Sequence, residues 1–102
     1  MNPFRQIKEL FIELVRSTHA KFIIRYIKSV EEMTGCDFIV VYTGNGVIRI
    51  FDMQDDMNRN TVEGNKAYYT MMGGLQERFH RFNADLSRAT DAGSSDWYVT
   101  FN

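Results

Sequence analysis

The feature that most constrains the fold is the helical spacing of apolar residues over the first third of the chain. These residues form two successive stripes: Phe4, Ile7, Leu10, Phe11, Leu14 and Val15, then Phe22, Ile23, Tyr26, Ile27, Val30 and Met33. Apolar residues that recur every three or four positions predict an amphipathic helix. Asn2 followed by Pro3 is typical of a helix start, and Gly35 is typical of the residue after a helix end. We therefore predict that the chain begins with a long helix.

The two apolar stripes do not share one side of this helix. The second stripe is rotated from the first by about one residue, or roughly 100°, and the slip falls at Ser17, Thr18 and His19. This rotation favours a kink or break at that point. A single long helix whose halves cover different neighbours is the alternative, because no Gly or Pro there forces a turn.

A β-hairpin is predicted to follow the first helix. Residues 37–43 are β-branched and aromatic with apolar residues on both faces, which is typical of a central strand covered on both sides or packed against a partner. Gly44, Asn45 and Gly46 then predict a tight turn. The return strand, 47–53, places Arg49 and Phe51 on one face and puts three residues on the other: Ile48, Ile50 and Asp52.

A second helix and a last strand are predicted in the remaining sequence. Residues from about 65 to 90 carry apolar residues at spacings of four, three and four: Leu75, Phe79, Phe82 and Leu86. Gly73 and Gly74 are expected to separate a short turn at 67–72 from the main helix, because paired glycines destabilise a helix. Residues 96–102 alternate as a terminal strand whose apolar side is Trp97, Val99 and Phe101.

This order of elements predicts a single α+β domain over residues 1–102. The order is α-β-β-α-β, with a three-stranded antiparallel sheet in the strand order 2-1-3, a long or kinked N-terminal helix, and a second amphipathic helix packed on the sheet. So short a chain is expected to leave one sheet face bare, and a bare apolar face favours self-association. We expect a homo-oligomer.

The charges of the chain are unevenly distributed. Residues 1–30 carry six Lys or Arg and two acids, whereas residues 31–102 carry six and eleven. This polarity favours an electrostatically steered contact with a macromolecule or another copy of the chain over chemistry on a small substrate. The single cysteine, Cys36, and the absence of a signal-like or membrane-length apolar run predict a cytoplasmic protein that does not interact with membranes.

Sequence motifs for cofactors and metals are weak throughout the chain. Residues 52–63 have the carboxylate spacing of a calcium loop, but Met57 stands where the loop requires Gly and a strand precedes it. The glycines at 44 and 46 lack the Lys-Ser/Thr of a phosphate-binding loop. Two histidines, His19 and His80, and one cysteine do not have zinc-ligand spacing. We predict no cofactor and no metal.

Candidate partner-binding residues form three groups of cationic and aromatic side chains. They are Lys21, Arg25 and Lys28 on the first helix, Tyr68, Tyr69, Arg78 and Arg81 on the second, and Arg49 on the return strand. Arg and aromatic residues contribute disproportionately to binding surfaces. The alternatives are a solvated cationic face paired with nearby acids, and tyrosines that pack in the core.

Three functions are compatible with these residues. The first is a non-enzymatic protein-binding module, an inhibitor or adaptor. The compact chain, rich in Met and aromatic residues and without motifs, is similar to small phage or mobile-element proteins that bind and block a host machine. The second is a nucleotide or nucleic-acid binding protein that uses the basic N-terminal helix, and the sequence pI of about 6.1 argues against it. The third is a small enzyme in which His80 acts as acid or base with Asp52 or Asp56.

Overall fold

The computed structural model describes residues 3–89 and 96–102 as an α+β fold. Its elements in chain order are helix α1, Pro3–Thr34; strands β1, Phe38–Gly44, and β2, Val47–Asp52; helix α2, Val62–Phe79; and strands β3, Asp85–Arg88, and β4, Trp97–Thr100. Two short 3-10 turns, Asp56–Asn58 and His80–Phe82, precede and follow α2. No helix in the described ranges is long and apolar enough to cross a membrane.

The sheet has four antiparallel strands in the order β1-β2-β4-β3, so the expected three strands in the order 2-1-3 are wrong. The terminal strand exists as predicted, but it pairs with β2 and not with β1. Ile48 lies opposite Val99 in this pairing, and both side chains are fully buried. Strands β2 and β4 therefore bury their alternate side chains on the same face of the sheet. The register that aligns these buried side chains fixes the pairing of the two strands.

Strand β1 lies at the edge of the sheet and is covered on one face only. Its outward residues Ile39 and Val41 are 49% and 43% exposed. The prediction of a central strand covered on both sides is therefore wrong. The predicted faces of β2 are confirmed, because Ile48, Ile50 and Asp52 are buried and the alternating residues are not. On the outer face of the sheet, Arg49, Phe51 and Tyr98 are half-buried, so this face is neither fully exposed nor purely apolar.

The predicted second helix is shorter than its apolar spacing suggested. It begins after Thr61, whose side-chain oxygen accepts a hydrogen bond from the Gly64 N–H at 3.0 Å, and it ends at Phe79. Asn83 then adopts a left-handed backbone with φ of 53°, which ends the helical geometry. Residues 85–88 pair with β4 as a strand. Residue 90, the end of the predicted helix, lies outside the described residues.

Two further expectations about the helices are corrected. Helix α1 continues through residues 17–19, so the break expected there is wrong and the alternative of one long helix is confirmed. Helix α2 likewise continues through Gly73 and Gly74. The predicted helix end is confirmed, since Gly35 has φ of +74° and its N–H donates to the Glu31 carbonyl at 2.9 Å. Asn2 lies outside the described residues.

The hydrophobic core lies between the inner sheet face and the two helices. Only the C-terminal half of α1 contributes to it, through Ala20, Ile23, Tyr26, Ile27, Val30 and Thr34. Helix α2 contributes Met71 and Leu75, and the sheet contributes Ile48, Ile50 and Val99. Midway along α1, Glu13 accepts hydrogen bonds from the Tyr42 hydroxyl and from the Asn45 N–H, which attaches α1 to the β1-β2 hairpin.

Candidate functional site

The strongest candidate site is a cleft between α1 and the C-terminal end of α2. It has a volume of about 560 Å³. The lining side chains are Phe22, Arg25, Tyr26 and Ser29 from α1, with Arg78, Phe79 and Phe82 from α2 and the turn after it. We call this the aromatic cleft. It exists because α1 is continuous and carries its second half past the end of α2.

The wall of the aromatic cleft is built around Tyr26. The Tyr26 hydroxyl donates a hydrogen bond of 2.7 Å to the Thr70 carbonyl, which ties α1 to α2. Its ring meets the Phe79 ring edge-on at a centroid distance of 6.1 Å. The Arg78 guanidinium lies over the same ring, 4.8 Å from its centroid. Burial raises the pKa of Tyr26, and although nearby Arg78 opposes this shift, the hydroxyl remains a neutral donor.

The far end of the aromatic cleft is formed by two stacked pairs. Phe79 and Phe82 lie 6.2 Å apart with their planes 23° from parallel, and Phe82 stacks on the His19 imidazole at 3.8 Å. Such rings offer a flat apolar surface with polarised edges. The cleft is therefore apolar in its walls and cationic at its opening.

Five of the predicted binding residues lie around this cleft, and we call them the cationic rim: Lys21, Arg25, Lys28, Arg78 and Arg81. Arg25 and Arg78 line the cleft itself. Lys21 and Lys28 flank Arg25 on α1 and line an adjoining depression with it. Arg81 lies beside Phe82 in a third depression that reaches Phe11 and Val15. The two cationic groups recognised separately in the sequence thus meet in one place.

The cationic rim forms no ion pair within the part of the chain that the structure describes, although Glu32 lines the same depression as Lys21 and Lys28. Ion pairs in that part join Arg5 to Glu9, Arg16 to Glu13, and Arg49 to Asp96, and none involves a rim residue. All five rim residues are exposed. Like charges held together in this way create a positive potential that attracts an acidic ligand.

The other three predicted binding residues lie away from the aromatic cleft. Tyr68 is half-buried and packs against Trp97 with ring centroids 5.4 Å apart, which gives it a place in the core. Tyr69 is 64% exposed and contacts Tyr68 edge-on. Arg49 lies on the outer sheet face, where its guanidinium contacts Tyr98, Phe51 and Asp96.

The Cys36 thiol and two of the side chains considered for catalysis, Asp52 and His80, are buried or contact the main chain. The Cys36 side chain is buried, and desolvation raises the pKa of its thiol, which disfavours the thiolate. Both carboxylate oxygens of Asp52 accept main-chain N–H groups, at 3.1 Å from Asp56 and 2.8 Å from Met57. The His80 Nδ1 lies 3.3 Å from the Glu77 carbonyl oxygen. No group of three or more potential metal ligands occurs among the residues that the structure describes.

The sequence did not identify the aromatic residues of the cleft as site residues. Phe22, Tyr26, Phe79 and Phe82 belong to helical apolar stripes, and such stripes predict core positions. Phe22 is in fact 52% exposed, and Phe79 and Phe82 are only half-buried. One sequence signal distinguishes these aromatic residues from ordinary core positions. Cationic residues lie between or next to them along the chain, at Arg25, Arg78 and Arg81. Comparisons of the chain with protein-family models, curated proteins and solved structures find no match.

Proposed function

We propose that this chain is a non-enzymatic protein-binding module, an inhibitor or adaptor that acts by occupying the surface of a partner protein. Its binding site is the aromatic cleft with the cationic rim, and the partner presents an acidic segment with an apolar or aromatic side chain. The observation that carries the proposal is the convergence of Arg25 and Arg78, from two helices, on one apolar cleft, with no ion pair to either among the described residues.

The composition of the cleft supports a protein partner. Arg and aromatic residues are the types that provide most of the binding energy where proteins meet. An apolar side chain of the partner would enter between Phe22 and Phe79, while its carboxylates would meet the guanidinium groups at the opening. Rim charges of this kind accelerate association and select acidic partners.

The distribution of charge supports a protein partner over nucleic acid. The chain has a formal net charge of -1, and five of its twelve Lys and Arg residues form the cationic rim. Nucleic-acid binding domains usually carry a basic surface that follows several phosphates. In the first half of α1, by contrast, Arg5 and Arg16 are paired with acids of the same helix. The positive potential is therefore local, which suits a small acidic segment.

A paired charge reversal tests the proposal. Each form of the chain is immobilised and exposed to a nuclease-treated cell lysate, and the bound proteins are identified by mass spectrometry. The three forms are wild type, the double variant Arg25→Glu/Arg78→Glu, and the double variant Arg59→Glu/Lys66→Glu. The last is a matched control, because Arg59 and Lys66 are exposed and lie outside the cleft. We expect specific partners to be lost from the cleft variant and retained by the control.

Two results would count against the proposal. Partners that bind the cleft variant as well as wild type would exclude the cleft as the binding site. Nucleic acid retained from an untreated lysate would favour the nucleic-acid alternative. It would be detected as raised absorbance at 260 nm, and its affinity would fall steeply as salt is added. Circular dichroism of both variants verifies that each remains folded.

A further inference from the structure

The N-terminal half of α1 carries large apolar side chains that are exposed in the structure. Six of them form one surface, which we call the α1 stripe: Phe4, Ile7, Leu10, Phe11, Leu14 and Val15. Phe4 is 81% exposed, Leu10 is 72% exposed and Phe11 is 66% exposed, whereas Ile23 and Ile27 further along the helix are fully buried. A contiguous apolar surface of this kind marks a contact site.

The centre of the α1 stripe points away from the sheet, and its edge at Phe11 and Val15 borders the body of the chain in the depression with Arg81 and Phe82. At 100° per residue, its centre lies roughly 150° around the helix from the centre of the buried residues of the C-terminal half. Because α1 is continuous, that rotation points the stripe away from the sheet. The sheet of the same chain therefore does not cover the centre of the stripe, where Phe4, Ile7 and Leu14 are 81%, 64% and 65% exposed.

Four of the five charged residues in this half of α1 pair with one another, and the fifth, Lys8, lies at the edge of the stripe. Arg5 pairs with Glu9 at 3.3 Å and Arg16 pairs with Glu13 at 3.9 Å. These four residues lie on the opposite side of the helix from the stripe, and Glu13 also contacts the hairpin. The stripe itself contains no charged residue. An occupant that is apolar over the same length would complement it.

The stripe has the spacing and area of a helix-pairing surface. Two helices that pack along a seam contact each other through residues in alternating three- and four-residue steps. Four stripe residues and Thr18 have this spacing: Phe4, Ile7, Phe11, Leu14 and Thr18. Because a whole aromatic side chain offers about 200 Å², the exposed fractions of the stripe correspond to roughly 700 Å² per copy. Two such stripes would bury roughly 1,400 Å², which lies within the range of stable protein interfaces.

We propose that the α1 stripe binds the α1 stripe of a second copy of this chain, with the two helices antiparallel about a twofold axis near Phe11. The same uncharged side of the helix then serves both copies, as a twofold interface requires. This surface is distinct from the aromatic cleft, so the inference does not depend on the proposed function.

The cations that follow the stripe determine the direction of pairing. Lys21, Arg25 and Lys28 continue on the same side of α1 beyond the stripe. In a parallel pair they would face their counterparts across helices about 10 Å apart, and such like-charge contacts are costly. In the antiparallel pair the two Arg25 residues lie about 40 Å apart along the axis. The two aromatic clefts then lie at opposite ends of the dimer and stay open.

The first test measures mass as a function of concentration. Native mass spectrometry and light scattering of the purified chain are expected to give twice the 11.9 kDa chain mass. Phe11→Glu is expected to raise the dissociation constant by at least about 100-fold, because it places two charges in an apolar seam. The matched control, Gln6→Glu, adds the same charge on the side of Glu9 and Glu13 and is expected to remain dimeric. Leu14→Glu repeats the test at a second exposed position, and circular dichroism checks the fold of each variant.

The second test determines the direction. Under mild oxidation Phe11→Cys is expected to cross-link, because the two positions meet at the axis, whereas Phe4→Cys is not, because its copies lie about 20 Å apart. Wild type, with Cys36 buried, is the control. Three results would overturn the inference. They are a monomer at all concentrations, a dimer that neither Glu substitution weakens, and a monomeric chain whose stripe binds a different protein. Equal cross-linking of Phe4→Cys and Phe11→Cys would overturn the antiparallel arrangement.

Discussion

Tyr26 of α1 occupies the space in which a side chain at Gly74 of α2 would lie. A Cβ built on Gly74 would overlap the hydroxyl and the ring of Tyr26, and the hydroxyl passes over this point to donate to the Thr70 carbonyl. The close approach of α1 and α2 therefore depends on a glycine within a helix. The helical cost of that glycine is offset by the packing it permits.

The two adjacent glycines of α2 are expected to respond to alanine in opposite ways. Gly74→Ala should lower the free energy of unfolding by about 1–3 kcal/mol, because the added methyl group displaces Tyr26 from its hydrogen bond. Gly73→Ala, at a position with open space around it, should raise this free energy by about 0.5–1 kcal/mol through helix propensity. Urea denaturation of both variants provides the measurement, and Gly73→Ala is the matched control. Equal stabilities of the two variants would show that Tyr26 does not constrain Gly74.

Short-range signals in the sequence predicted the local structure well. The turn at residues 44–46 and the helix end at Gly35 depend on backbone conformations that glycine favours, and both are present. The β-branched runs also predicted the hairpin and the last strand. Such signals operate within a few residues and do not need the rest of the fold.

The sequence could not predict which elements meet. The spacing of Phe79, Phe82 and Leu86 fits a helix, yet residues 85–88 form a strand because β4 offers them a partner. The choice of β2 as the partner of β4 likewise depends on pairing between distant segments. The same limit applies to the site: Arg25 and Arg78 were each recognised as cations on helices, but only the packing of α1 on α2 brings them to one cleft.

The ion pair on the outer sheet face is expected to be stronger than the ion pair near the start of α1. Arg49 and Asp96 are 2.7 Å apart, and their side chains are only 24% and 17% exposed. The guanidinium donates a second hydrogen bond of 2.6 Å to the Tyr98 hydroxyl oxygen. A double-mutant cycle with alanine at both positions should give a coupling free energy of about 1–2 kcal/mol.

The matched control for that cycle is Arg5 with Glu9, whose side chains are 80% and 64% exposed. Water and salt screen this pair, so its coupling should be smaller and should fall as salt is added. Thermal denaturation at low and high salt distinguishes the two pairs. If the couplings were equal, burial of the Arg49 pair would have no energetic consequence.

The buried carboxyl of Asp52 should make stability depend on pH. It is 2% exposed, and desolvation raises its pKa above the usual 3.8, although the N–H groups of Met57 and Asp56 oppose the shift. The folded chain therefore binds this proton more tightly than the unfolded chain does. The stabilisation that follows is complete below the unfolded pKa, and it is lost as pH rises through the folded pKa.

Comparison of wild type with Asp52→Asn isolates this contribution, because the variant cannot titrate at that position. As pH falls from neutral through the folded pKa towards 3.8, the free energy of unfolding of wild type should rise relative to that of the variant. Urea denaturation across this range measures the difference, and Asp85→Asn, at an exposed carboxylate, reports the general effect of removing a negative charge. If wild type instead gained on Asp52→Asn as pH rose, the two main-chain hydrogen bonds would stabilise the carboxylate more than burial destabilises it.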